Sequence, residues 1–489
     1  MYPILSLMIF IPIVSGAVAY IIGKYSERGV RLFSLIISLT VLAITVFSYA
    51  MIFIDDAGAK MNFIEGPWQW IPTFPGIEYH LGMDGLSGPL LLVTAFLTVL
   101  VVLGSWDLIR NRQPLYYTLV LLFEGFMIGV FTSLNLVLFY VFWELVLIPM
   151  FFFIGIWGGP RRKYAAMKFI LFTYTGSLVM LLGFIGLYIF AAPTFNILEL
   201  SLISIPFWLQ ILATIATFIG FGIKLPVVPF HTWLPDAHVE APAPISVFLA
   251  GLLLKMGGYG FIRVNLTLFP EVSATYGWIF IVIGLFAMFY GAIVAMMQKD
   301  LKRMIAFTSI NHMGFVIIGA YSGNIYGVSG AIFQMFNHAI AIGLLFMLSG
   351  YIHEQAGTRD ILLLRGLRIT MPKTAMLLVL GSVAGMGVPA FSMFVSEYLI
   401  ILGATMFDAR LVVAVGVPVI TAAYFLLMLK KTVMSSVKEN GVKVHDMSQF
   451  SVLHLLIYLV PLLILIILPW LILNMTNQFA ENLISLIGR

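Results

Sequence analysis

Residues 221–258 read FGIKLPVVPFHTWLPDAHVEAPAPISVFLAGLLLKMGG. Lys224 and Lys255 stand in apolar runs that otherwise read as membrane helices, and five prolines lie between them. An apolar run of ~20 residues crosses a ~30 Å hydrocarbon core. A lysine at the centre of such a helix costs about 2.5–3.5 kcal/mol on insertion scales. Cations persist there when they pair, give up the proton or line water, so the two lysines predict a polar path inside a membrane protein. The prolines predict an interrupted helix, because broken backbone at membrane depth is tolerated only inside protein or along a cavity.

The rest of the chain agrees. Of 489 residues, 61% are hydrophobic and 10% charged, against about 25% charged in ordinary soluble domains. Apolar spans recur near 4–22, 30–54, 86–106, 115–133, 135–157, 164–191, 206–237, 240–266, 275–298, 303–320, 325–353, 374–405, 411–430 and 453–475. The fold class is therefore an all-α membrane protein of about fourteen transmembrane helices, one polytopic domain over 1–489. The seventh and twelfth spans are longer than a straight crossing needs and carry internal Pro and Gly, the pattern of interrupted helices. The N-terminal MYPILSLMIFIPIVSGAVAYIIGK lacks a basic leading region and reads as a retained first helix.

Topology follows from the cations. Twenty Lys and Arg fall in loops 24–31, 110–112, 161–168, 299–303, 359–373 and 430–443, while Lys60, Arg263, Arg410 and Arg489 fall on the opposite side. With Lys224 and Lys255 in the membrane this accounts for all 26. The positive-inside bias makes the first face cytoplasmic and puts both termini outside. The net charge of +5 thus reports topology and does not point to nucleic acid.

One internal echo is visible. Gly222-Ile-Lys-Leu-Pro226 followed by Phe230 recurs as Gly385-Met-Gly-Val-Pro389 followed by Phe394, five spans later in an oppositely directed helix. This predicts an inverted repeat with units 115–266 (spans 4–8) and 275–430 (spans 9–13), flanked by helices in 1–114 and 431–489.

At ~1.5 Å rise per residue, the unusual polar residues fall at one depth: Glu144 in span 5, Lys224 before the Pro226 break, Lys255 in span 8, His312 and His338 in spans 10 and 11, and Glu397 after the second break. Glu124 in span 4 shares that depth. Burial disfavours a charged lysine and a nearby carboxylate favours it, so a lysine whose carboxylate neighbour can approach or withdraw is a proton switch. Histidine relays protons through its two nitrogens. The bland alternatives are a static Glu144–Lys224 ion pair, hydrogen-bonded packing histidines at His312 and His338, and a protonated Glu124 satisfied by a neighbouring helix. His231, Asp236, His238 and Glu240 sit at the cytoplasmic end of the 7–8 hairpin, where capping and surface roles are the expectation.

Other chemistries are poorly represented. The chain has no cysteine for iron–sulfur ligation, haem c attachment or a disulfide. It has no phosphate-loop motif, GGYGF at 257–261 lacks a dinucleotide-binding setting, and His231 and His238 lack the zinc-site arrangement. No metal or cofactor is expected in this chain, so any pumping draws its energy from elsewhere.

FYVFWELVLIPMFF around Glu144, the block KLPVVPFHTWLPDAHVEAPAP, AFTSINHMGF and QMFNHAI closely resemble the antiporter-like proton-translocating subunits of respiratory complex I and its relatives. The resemblance covers nearly the whole chain. It implies that Glu144, Lys224, Lys255 and Glu397 occupy the family's helix 5, 7, 8 and 12 positions. A Glu at the last of these, and a chain that stops after helix 14, resemble the subunit M type. The resemblance also implies partners: other antiporter-like and small membrane subunits, the lateral helix of the subunit L type, and a hydrophilic redox arm that holds flavin and iron–sulfur clusters. The setting is the cytoplasmic membrane of a prokaryote.

The resulting expectation is a proton path. Lys224, held protonated by Glu144, receives protons through the break of helix 7 and passes them by Lys255, His312 and His338 to Glu397, driven by electron transfer in partner subunits. The rivals are a Na⁺/H⁺ antiporter subunit without redox coupling and a scaffold whose polar row only docks helices.

Overall fold

The computed structural model describes residues 3–436 and 445–487; Lys438, Lys443 and Arg489, and the chain ends assigned to the outside, lie outside the described residues. Among the described residues, thirteen helices are long and apolar enough to cross a membrane. They are α1 (Ile4–Tyr25), α2 (Glu27–Ile54), α3 (Ser87–Leu108), α4 (Gln113–Thr132), α5 (Leu136–Trp157), α6 (Arg162–Phe190), α7a (Phe207–Lys224), α8 (Ala243–Leu266), α9 (Pro270–Met296), α10 (Leu301–Tyr321), α11 (Ile325–Ala356), α13 (Ala409–Thr432) and α14 (Gln449–Ile467). The remaining span is two shorter helices, α12a (Pro372–Gly385) and α12b (Met393–Phe407). The fourteen expected spans are thus present, with helices 7 and 12 interrupted.

The breaks fall at the G-x-x-x-P motifs. α7a stops at Lys224 and the chain resumes as α7b (Trp233–Glu240); α12a stops at Gly385, and Gly387 takes a left-handed φ of 68° before α12b begins. Proline lacks the amide hydrogen a helix interior needs and clashes with the preceding turn, so both helices end where the next turn would carry it.

Three helices form the centre. α8, α10 and α11 are buried along their length, whereas α1, α2, α6, α9, α13 and α14 expose large apolar side chains such as Leu182, Ile189 and Phe286. α8 gets to the centre by being thin: a Cβ on Gly257 would stand 2.6 Å from the Phe221 carbonyl, and one on Gly258 2.4 Å from Met335 Sδ. Glycine is the residue that permits this close approach to α7a and α11.

Between α2 and α3 the chain departs from the all-α expectation. β1 (Asn62–Gln69) and β2 (Glu78–Met83) form an antiparallel hairpin, with Trp68 paired to Tyr79 and Glu65 to Leu81. Glu65 accepts the Leu5 amide at 2.6 Å, so the hairpin places an anion at the unsatisfied N-terminus of α1. The last span also differs. It ends at Ile467, and α15 (Trp470–Ile487) is a separate helix with a strongly one-sided apolar face. Gln478 of α15 accepts from the Gly58 amide at 2.7 Å, and Phe479 lies over Arg263.

Several surface assignments are corrected here. Arg263, expected as an outer-loop cation, is buried and pairs with buried Asp84 at 2.6 Å. Lys302, expected on the cytoplasmic surface, is buried and donates to the Ala241 carbonyl. His231, His238 and Glu240, expected at the surface, are buried too. Their partners lie far along the chain, Asp84 on Arg263, Ala241 on Lys302, Phe346 on His238 and Arg161 on Glu240, which no one-dimensional reading of depth includes. Asp236 does fit a surface role, pairing with Lys168 at 2.7 Å.

Candidate functional site

Lys224 is the last residue of α7a, where the carbonyl end of the helix favours a cation. The freed backbone groups nearby are satisfied locally: Leu225 donates to the Phe221 carbonyl and Val227 to Gly222, both at 2.8 Å, and the Trp233 indole donates to the Ile223 carbonyl at 2.9 Å. The Lys224 ammonium itself has no hydrogen-bond partner. It lies 5.3 Å from the ring centroid of Trp143 and 5.9 Å from that of Phe169, within cation–π range. Glu144, one residue beyond Trp143, is half-buried beside a cavity of about 540 Å³ that it lines with Tyr140 and Tyr174. The two charged groups do not form a contact ion pair: the Lys224 ammonium has no partner, and one carboxylate oxygen of Glu144 is likewise unpartnered.

The next lysine sits in an unusual helix. α8 contains two wider turns, Leu249–Leu253 and Phe261–Leu266, in which backbone bonds run from i+5 to i. Such turns free carbonyls for other uses and concentrate at functional sites. Lys255 takes one of them, donating to the Ala250 carbonyl at 2.6 Å. It also lies 2.5 Å from His338 Nδ1. Because an ammonium only donates, Nδ1 of a neutral His338 accepts and its ring proton stands on Nε2.

Two histidines lie between Lys255 and α12b. The His338 and His312 rings are perpendicular with centroids 5.4 Å apart, and His312 Nε2 is 3.6 Å from Glu397 Oε1. All four residues are buried. Helices α8, α11, α10 and α12b therefore bring Lys255, His338, His312 and Glu397 into one file across the bundle. α12b is fastened to α11 by Ser392 Oγ donating to Asn337 Oδ1 at 2.7 Å and Ser396 Oγ donating to Gln334 Oε1 at 2.5 Å. Each member of the file is a titratable group, and histidine can take up and release a proton through its two nitrogens, which is the chemistry a proton relay needs.

Glu124 is not part of this file. It is buried in α4 and neither carboxylate oxygen has a hydrogen-bond partner. His231 stands apart as well, with Nε2 3.1 Å from the Tyr290 hydroxyl. One residue the sequence left among caps and surface charges packs against α11, the helix that carries His338. His238 stacks on Phe346 of α11 at 4.3 Å with both ring nitrogens unpartnered. The one sequence signal for it was a histidine between two prolines in a span too long for a single crossing. Among the described residues, no cluster of His, Cys, Asp or Glu could hold a metal ion.

Comparison with known proteins now bears on this arrangement. Residues 133–423 match the family model described as NADH:quinone oxidoreductase/Mrp antiporter, transmembrane. The chain belongs to that family. The matched segment holds every member of the file and both interrupted helices, so the family's shared region is the region built around the buried charges. Among its members, NADH-quinone oxidoreductase subunit M of Rickettsia conorii is 38% identical over 99% of this chain and 99% of its own length. NAD(P)H-quinone oxidoreductase chain 4 1 of Synechococcus elongatus is 40% identical over 88% of this chain and 81% of its own. A chain in the structure of respiratory complex I from Thermus thermophilus with bound NADH superposes with a TM-score of 0.88 at 28% identity, covering 99% of this chain and all of that one.

Proposed function

We propose that the chain is a proton-translocating membrane-arm subunit of a complex I-like NADH:quinone oxidoreductase, itself carrying no redox centre. The observation that carries the reading is the buried file Lys255–His338–His312–Glu397, with the unpartnered Lys224 ammonium and Glu144 beside it. Burying so many ionisable groups at one depth is costly, and a merely structural row would have paired them.

In this reading Glu144 approaches Lys224 to hold its proton and withdraws to release it. The proton then moves through Lys255, His338 and His312 to Glu397 and leaves on the outer side. Electron transfer in partner subunits that carry flavin and iron–sulfur clusters supplies the energy as an electrostatic or conformational push. Its neighbours are other antiporter-like and small membrane subunits and the lateral helix of a subunit L-type protein, in a prokaryotic cytoplasmic membrane. The segments 115–266 and 275–430, each with its own broken helix, act as two inverted halves around the file.

The test is proton uptake by inverted membrane vesicles carrying the assembled complex. K224A and E144A are expected to assemble, as followed on native gels, and to lose donor-driven uptake. Assembled variants that pump at the wild-type rate would refute the proposal. Uptake that depended on sodium and not on electron donor would favour an antiporter without redox coupling.

A further inference from the structure

Lys302 is the second residue of α10, whose start is fixed by Asp300 accepting the Arg303 amide at 2.8 Å. That start turns the lysine inward, and its ammonium reaches the carbonyl of Ala241 at the join between α7b and α8. It is nevertheless not sealed off: it lines a cavity of about 370 Å³ on the cytoplasmic side, together with Glu240, His353, Glu354 and Arg359. Charged pairs surround that cavity. Arg110 meets Glu354 at 2.8 Å, Arg359 meets Asp300 at 3.3 Å, and Arg161 meets Glu240 at 3.7 Å. A buried lysine facing a polar, water-sized space is an odd structural element. One carbonyl satisfies only one of its three N–H donors, and burying the charge is costly unless it is discharged or hydrated.

His238 lies on the other side of the same join. It is three residues before Ala241, its carbonyl accepts from Ser246 Oγ of α8 at 3.2 Å, and its ring presents two unpartnered nitrogens. Beyond it the wide turn Leu249–Leu253 of α8 lends the Ala250 carbonyl to Lys255, whose ammonium thus reaches back toward the cytoplasmic side.

We propose that Lys302 and His238 form a proton intake from the cytoplasm that feeds Lys255 directly, separate from the one at Lys224. The Lys302 ammonium gives a proton to a ring nitrogen of His238 and becomes a neutral amine, which water in the cavity reprotonates. The resulting imidazolium gives a proton from its other nitrogen, through water along the wide turn, to neutral Lys255, and His238 returns to its neutral form. One proton enters and one arrives, and no bond other than N–H and O–H changes. The inference rests on the proposed pumping function and adds a second cytoplasmic entry to it.

The experiment uses the assembled complex in inverted vesicles, where the cavity faces the medium. Donor-driven electron transfer is measured with uncoupler present, so that an added amine cannot act by collapsing a pH gradient. K302A and H238Q are expected to slow turnover about tenfold, below the ~10²–10⁴ of a positioned acid–base group because water substitutes in part. Ethylammonium, small enough for the cavity, is expected to restore K302A and to leave both wild type and H238Q unchanged. If K302A fails to assemble, K302Q, which keeps a donor for Ala241, carries the same measurement of turnover. Wild-type turnover in either assembled variant, or a K302A defect that ethylammonium does not relieve, overturns the inference. K224A and K255A are measured alongside: if they lose turnover while the other two keep it, only the intake is wrong, and if all four keep it, the pumping function itself is wrong.

Discussion

Replacing Gly387 by alanine tests whether the position of the Glu397 carboxylate, and not only its presence, matters. Gly387 has a φ of 68°, and a Cβ built on it stands 2.2 Å from Glu397 Oε2. Ordinary contact begins at 3.4 Å, so the carboxylate has to move by the difference, 1.2 Å. Its Oε1 now lies 3.6 Å from His312 Nε2, and a displacement of that size spans the range between a step a proton can take and one it cannot. A misplacement of about 1 Å can cost ~10² in rate. The left-handed backbone costs an L-residue roughly 1–2 kcal/mol in addition, and that part has a control in the same chain. Gly323 has a φ of 66° and nothing within 4 Å of its Cβ position, so G323A carries the backbone cost without the collision. Both variants are expected to lose a little thermal stability, but only G387A is expected to lose donor-driven proton uptake in inverted vesicles. Equal uptake by the two, with equal assembly, would refute the view that a fixed His312–Glu397 spacing carries the proton.

Three further outcomes follow from other contacts. R263M leaves Asp84 buried and uncompensated, which costs about 3–5 kcal/mol; the drop in thermal midpoint should be smaller in the R263M/D84N double variant. W233F removes the 2.9 Å bond to the Ile223 carbonyl beside Lys224, a loss of about 1 kcal/mol that differential scanning of the purified complex reads as a lower midpoint. Asp446 lies just before α14 and accepts from the Lys373 amide at 2.7 Å, Thr374 Oγ1 at 2.7 Å and the Met447 amide at 2.8 Å. Burial pushes its carboxyl up, but these bonds outweigh burial and hold it below the ordinary value. A depressed carboxylate stabilises the fold above its unfolded pKa, and that stability is lost as pH falls through the folded pKa. D446N should therefore lower the thermal midpoint at neutral pH and remove part of its decline on acidification, which a midpoint series against pH will show.

How much of this could be read from the sequence differs by feature. Span length and the cost of buried charge determine the helical class, the fourteen spans and the two breaks, and single out Glu144, Lys224, Lys255, His312, His338 and Glu397 as polar residues within spans, because these depend on local hydropathy and on the rise of a helix. Azimuth does not. A helix buried on all sides has no polar face to give its orientation away, so only the packed bundle decides that Lys255 meets His338 while Lys224 and Glu144 stop short of contact and Glu124 stays apart. Lys302 and Arg263 show the same limit at the helix ends: in sequence they belong to charged loops, and their burial comes from a neighbouring carbonyl or carboxylate far along the chain. Depth is a property of one helix, whereas a proton path is a property of several, and that is why the residues were legible before their connections were.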